Sequence, residues 1–418
     1  MVNSINSRHF SQGEKLWSFF LPFSFLLAQY GYGFGNPMLT YCFIFALFCV
    51  VGYRKFPTFN PLSIYTLWYV AVLIGTVLIF GHVADRPYLM HLIQILVSGF
   101  GVTIVAKHLD KDALYVCWKI LGLIVCVVVA YQFFQIFVLN QYVKPIRLMP
   151  VSSEALKLNE NWTDSSHRPL AFFTEPSMVV AFLTPVLLFA QQKKELLVAI
   201  IVSVAILLTG STSGVIALAI MWGLSIFSYK LSKTTKIFII TLSIAAVVAF
   251  LNLSIFRDSL DKILYELSGD SSNMNTRVLR GWMIYSVLDT RSQIFGISDH
   301  DLSSFIYGNA SEFTWQTGYE DNFYLNAAQL LFIRTGLVGA VLYVWMLIRL
   351  WRSTNKIVKP YLVFVIVSMF FENYFFINGM FVMQYVVLLS YLEKFESKNV
   401  VKVKSRNRVQ KQNVQEIH

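Results

Sequence analysis

Apolar runs about as long as a membrane is thick recur along this chain, and they limit its fold more than any other feature. Residues 16–35, 61–81, 88–106, 113–139 and 325–350 are the clearest. A hydrocarbon layer of about 30 Å takes roughly 20 residues of helix. Inside it the backbone finds no water, so only helices or a closed barrel can cross. Barrel strands would alternate apolar and polar residues over about 10 positions, and these runs do not alternate. Only 14% of the 418 residues are charged and 56% are hydrophobic, against about 25% charged in a soluble domain. The chain therefore reads as an all-α polytopic integral membrane protein.

Twelve transmembrane helices are expected, at 16–35, 38–53, 61–81, 88–106, 113–139, 171–190, 195–210, 213–229, 236–255, 325–350, 360–376 and 379–392. They divide the chain into spans one to five (1–139), a loop (140–170), spans six to nine (171–255), a large loop (256–324), spans ten to twelve (325–392) and a basic tail (393–418). Basic residues precede the first run, as in a signal peptide, but no small-residue cleavage site follows, so it reads as a retained span. The turns "GFGNP" and "TGSTSG" are short enough to make tight hairpins of 16–53 and 195–229, and Gly and Pro suit such reversals.

With the N-terminus in the cytoplasm, 23 of the 34 Lys and Arg fall on the cytoplasmic side, among them Lys15, Arg54, Lys55, Lys193, Lys194, Arg349 and Arg352. The positive-inside rule thus places both termini inside and the two long loops outside. The net charge of +11 is then a topology signal and gives no reason to expect nucleic acid. Cys42, Cys49, Cys117 and Cys126 lie within apolar runs and read as packing residues. Neither CxxC nor HExxH occurs and the seven histidines are scattered, so no metal or other cofactor is expected.

The outward-facing basic residues are mostly arginine: Arg86, Arg147, Arg168, Arg257, Arg277, Arg280 and Arg291, with Arg334 near the outer end of a span. A guanidinium binds phosphate bidentately and stays charged when partly dehydrated. Such a set points to an anionic ligand at the outer membrane surface. In "HRPLAFFTEPS" (167–177), Pro169 pushes Arg168 toward an extended backbone, and Glu175-Pro176 fits the first turn of a helix. At that depth an ionisable group needs a partner or a function. Arg168 and Glu175 either pair with each other or form part of a site. Arg277 and Arg280, three apart on an expected helix with Trp282 and Tyr285, share a face. That helix is either an interfacial one lying against lipid phosphate or a diphosphate clamp. "SDHD" (298–301) adds His300, which titrates near neutral pH.

Four segments resemble the bacterial O-antigen polymerase and O-antigen ligase superfamily. They are "RPLAFFTEPS" from Arg168, "LLTGSTSGVIAL" from Leu207, "RVLRGWMIYSVLDTRSQIFGIS" from Arg277 and "DNFYLNAAQLLFIRTGLVGAVLY" from Asp321. Thr212 stands where the family usually has arginine, and Ser298 where it has a final glycine. Ligases of the family tend to carry histidine before the asparagine of the fourth segment, so Asp321 favours polymerase. The resemblance implies a GT-C-like glycosyltransferase in the bacterial inner membrane. It would act at the periplasmic face on undecaprenyl-diphosphate-linked oligosaccharide, without nucleotide sugar or metal, beside membrane lipid and a chain-length regulator protein.

For such a reaction, charge on the departing diphosphate must be stabilised. Arg168 is the first candidate, followed by Arg277, Arg280, Arg291 and Arg334, with Asn322 and Tyr324 completing the substrate contacts. The attacking hydroxyl must lose a proton, and Asp321, Glu175 and His300 are the candidate bases. The competing expectations are a ligase that transfers glycan to lipid A core and a flippase of lipid-linked oligosaccharide.

Overall fold

The computed structural model describes residues 11–27, 61–80, 86–151, 164–228, 280–297, 325–372 and 382–391, with Leu302, Phe305, Ile306, Gly308 and Asn309. The expected spans at 38–53 and 236–255, and the tail from 393, lie outside the described residues. Every regular element among those described is helical. They are α1 (Gln12–Leu27), α2 (Pro61–Phe80), α3 (Arg86–His108), α4 (Lys111–Phe137), α5 (Pro176–Lys193), α6 (Leu196–Leu208), α7 (Thr212–Ser228), α8 (Arg280–Val287), α9 (Thr290–Phe295), α10 (Ala327–Ser353) and α11 (Lys359–Ser368). A last apolar helix, α12, covers Val382–Tyr391. The extended structure described is an isolated antiparallel bridge between Val143 and Ser166.

Two helices, α4 and α10, are long and apolar enough to cross a membrane, and shorter apolar helices accompany them. α4 shows how the sequence produces this. Asp110 caps it, its carboxylate accepting from Asp112 N and Ala113 N at 2.9 and 3.3 Å. No Pro interrupts the next 27 residues, which span about 40 Å at 1.5 Å each. Val116, Ile120, Ile124, Val127, Tyr131, Phe134 and Val138 are exposed. Their spacing of three or four puts them on one stripe, an apolar face of the kind lipid covers. On the other side Trp118 is buried and donates from Nε1 to the Phe182 carbonyl at 3.1 Å.

α5 carries no such stripe, because Val179 to Gln191 are all buried. A helix apolar all round belongs at the centre of a bundle, and α5 packs against α4, α6, α7 and α11. A second group gathers α2, α8 and α9 around α10, with α3 packed against α2. α11 connects the two, because the carbonyls of Met369 and Glu372 at its end accept from Ala328 N and Ala327 N at the start of α10.

One end of the bundle is rich in ion pairs. His108 Nδ1 meets Glu14 at 2.8 Å, Lys119 meets Glu195 at 3.0 Å and Lys193 meets Asp112 at 2.6 Å. Lys111 lies 3.5 Å over the Tyr391 ring. Free Cys117 and Cys126 are buried inside the same bundle.

Burial pushes the Glu195 carboxyl up, but hydrogen bonds from Lys119 and Tyr115 outweigh it and hold the group below its usual range. A carboxylate depressed in the folded state contributes stability above its unfolded pKa of about 4.3. That contribution is lost as pH falls through the lower folded value. Glu195→Gln should therefore lower the apparent melting temperature in detergent slightly at neutral pH, by less than about 1 kcal/mol for a half-exposed pair. As pH falls below the unfolded value and through the lower folded one, the variant should converge on wild type.

Candidate functional site

The Arg168 segment is non-helical and is pinned by one amide. Gln132 is buried near the far end of α4. Its Oε1 accepts from Leu170 N at 2.8 Å and Ala171 N at 2.7 Å, and its Nε2 donates to the Lys144 carbonyl at 3.1 Å. Ala171 has φ of 48°, a left-handed turn, after which Phe173 N closes on Leu170 O at 2.9 Å. The chain then enters α5 with Glu175 as N-cap residue and Pro176 in the first helical position. The half-buried Glu175 carboxylate accepts from Ser177 Oγ at 3.3 Å, and the helix N-terminus favours its charge.

Arg168 itself is exposed, and its side chain reaches a second turn. Gly210, with φ of +60°, lies between α6 and α7, and a Cβ there would stand 3.6 Å from Arg168 Cδ. The turn is held by Thr209 Oγ1 to the Ile206 carbonyl at 2.7 Å and by Ser211 Oγ against Ser213 Oγ at 2.8 Å. An arginine stem thus covers a glycine at the mouth of a hydroxyl-rich helix start. The fold brings together two segments some forty residues apart in the chain, one carrying Arg168 and Glu175 and the other "TGSTSG".

Arg334 belongs to the other group of helices. It is half-buried in α10, two residues before a break at Gly336, whose φ of 65° and ψ of −175° are not helical. A Cβ on Gly336 would overlap the Ile294 carbonyl and Gly296 N, and one on Gly296 would overlap the Arg334 carbonyl. The two glycines therefore let the end of α9 touch the α10 backbone. Ile297 N donates to the Ile333 carbonyl at 2.9 Å, and Trp68 Nε1 to the Thr335 carbonyl at 3.1 Å. Arg291 lies on α9 with its side chain exposed. Asp289 caps α9, accepting from Arg291 N at 3.1 Å and Ser292 N at 3.3 Å. Trp282 and Tyr285 of α8 pack edge-on against Phe332 of α10, which makes them packing residues.

The expected site residues thus fall into two groups. Arg168 and Glu175 flank the start of α5, while Arg291 and Arg334 sit on the α9–α10 contact. Arg280 begins α8, its backbone alone described. Arg277, His300, Asp321, Asn322 and Tyr324 lie outside the described residues.

Residues 197–344 match the Wzy_C family model, described as O-antigen ligase. This match supports the O-antigen ligase and polymerase superfamily. It covers about a third of the chain, from α6 through most of α10, and so includes the Gly210 turn, the α9–α10 contact and Asp321. The Arg168 segment lies ahead of it. Comparison with curated proteins and with solved structures gave no match.

Sequence reasoning missed Gln132. One of two glutamines in "VVVAYQFFQIF", it offered a weak signal, a polar side chain inside a span. Glu372, buried beside the start of α10, was visible as the one acid in "MFFENYFF" but has no assigned role. Gln132→Leu removes the partners of two buried N–H groups and a carbonyl, each worth about 1–3 kcal/mol when left unmade. The variant should insert but lose several degrees of thermal stability, and the peptide around Arg168 should become sensitive to protease. A cleavage pattern identical to wild type would show that Gln132 does not hold the segment.

Proposed function

We propose that this protein is an O-antigen polymerase that joins undecaprenyl-diphosphate-linked oligosaccharides at the outer face of the inner membrane. The observation that carries the reading is the seating of Arg168 over the Gly210 turn, which lies within the family-matched region. A phosphate-binding side chain is thereby held at the mouth of a helix whose N-terminal N–H groups favour anions. The family match supports the reaction class, and Asp321 in place of histidine favours polymerase over ligase.

In this mechanism the acceptor sugar hydroxyl attacks C1 of the donor. The C1–O bond to the diphosphate breaks as the new glycosidic bond forms, and undecaprenyl diphosphate leaves carrying the electron pair. The hydroxyl proton passes to Asp321, or to Glu175 or His300 in its place. Arg168, with Arg277, Arg280, Arg291 and Arg334, neutralises charge developing on the departing diphosphate, and Asn322 and Tyr324 orient the sugar. Fixed cations need no reorganisation as that charge appears. A diphosphate is already a good leaving group, so the paired carboxylates of a glycoside hydrolase are not required.

Purified protein supplied with a lipid-linked repeat unit should give a ladder of longer products. Transfer of one glycan to lipid A core would indicate a ligase, and movement across vesicles without covalent change a flippase. Arg168→Ala should slow ladder formation roughly 100-fold or more, the usual effect of losing one charge-stabilising donor, while the protein still inserts. Near-normal ladders would remove Arg168 from the site.

Ladder formation should persist in EDTA, and strict dependence on added Mg²⁺ or Mn²⁺ would refute arginines in the role of a metal. Asp321→Asn should slow the reaction more than Glu175→Gln, and the reverse order would reassign the base to Glu175.

A further inference from the structure

Beyond α4 the chain does not simply leave the bundle. Val138 and Leu139 still bond to the Phe134 carbonyl, Asn140 adopts a positive φ of 50°, and the chain turns back. Val143 and Ser166 exchange hydrogen bonds at 3.0 and 2.7 Å, Lys144 O reaches Gln132, and Ile146 N bonds the Ala171 carbonyl at 2.8 Å. Gln132 lies more than one turn below the end of α4. Residues 142–146 therefore run at the depth of α4's last turns.

Their side chains alternate, as extended backbone requires. Val143 and Pro145 are buried against the protein, while Tyr142, Lys144 and Ile146 point outward. Arg147, Leu148 and Met149 continue the exposed run. Tyr142 is 62% exposed and meets the His167 ring at a tilt, centroids 4.2 Å apart, and Leu148 is 42% exposed. This apolar surface begins where the exposed stripe of α4 ends, at Val138 and Leu139. Contiguous exposed apolar surface of this kind marks an interaction site.

We propose that residues 138–149 form an amphipathic strap that lies in the headgroup layer of the membrane. Tyr142, Ile146, Leu148 and Met149 enter the acyl boundary, and Lys144 and Arg147 meet lipid phosphate. Three observations select lipid as the occupant. The strap is continuous with the apolar stripe of a membrane-crossing helix, its fold-back keeps it at membrane depth, and its outward face interleaves cations with apolar and aromatic side chains.

The test places the photo-reactive residue benzoylphenylalanine at Leu148 or Met149 in the full chain. The protein is reconstituted in vesicles of phosphatidylethanolamine and phosphatidylglycerol, and Asp164, exposed on the partner segment, serves as the control position. Irradiation should add the mass of one phospholipid at 148 and 149 several-fold more often than at 164. Equal labelling at all three positions, or none at 148 and 149 in protein that elutes as wild type, would overturn the proposal. In native membranes, adducts bearing a polyprenyl mass in place of phospholipid would overturn it too, by making the strap a substrate channel. The labelling needs no activity, so its outcome is independent of the polymerase reading.

Discussion

A chain in lipid must satisfy its own backbone, and three interruptions of helical bonding among the described residues have named compensators. Where the Arg168 segment departs from helix, the Gln132 amide takes two N–H groups and gives one N–H to the strap. Where α10 breaks at Gly336, Ile297 N and Trp68 Nε1 serve the carbonyls of Ile333 and Thr335. Where α10 begins, Asn326 and Gln329 form a capping box, and the carbonyls of Met369 and Glu372 take the next two N–H groups. An unmade bond in hydrocarbon would cost several kcal/mol, so these partners hold the irregular segments to one geometry.

Irregular backbone at membrane depth persists only where protein buries it or it lines a water-filled space. It is notable where these irregularities fall. They lie in the segments that carry Arg168, Arg334 and the start of the helix that follows Asp321. A regular helix presents its side chains at fixed angles around an axis, whereas a turn can aim an arginine along the membrane surface. The broken helices therefore do what straight spans cannot, which is to hold charged groups at the rim without burying them among lipid tails.

The helical class was legible, and α4 and α10 fall where 113–139 and 325–350 were expected, because hydrophobic run length is set by bilayer thickness, a property read residue by residue. Thr209–Ser211 fell where "TGSTSG" announced a tight turn, and α5 begins where Glu175-Pro176 placed it. The seating of Arg168 on Gly210 was not legible, because it depends on how α4, α5, α6 and α7 pack. Nor was the role of Gly336. "RTGLVG" suggested close helix contact, but the partner is the chain end after α9, and a non-helical φ within an apolar run leaves no periodic trace. Trp282 and Tyr285 looked like an interfacial belt or a clamp, and their rings instead pack on Phe332.

The two ends of the bundle differ in chemistry. At one end lysines face carboxylates directly, as Lys119 with Glu195 and Lys193 with Asp112, so the charges there are spent on structure and topology. At the other end Arg168 covers a glycine turn, and Glu175 takes a serine hydroxyl. Topology alone would be served as well by lysine, which is compact and strongly hydrated. Arginine differs in gripping phosphate or carboxylate oxygens in a fixed plane. The Gln132 amide holds both the backbone just after Arg168, at Leu170 and Ala171, and the lysine-bearing strap, so the two share one depth.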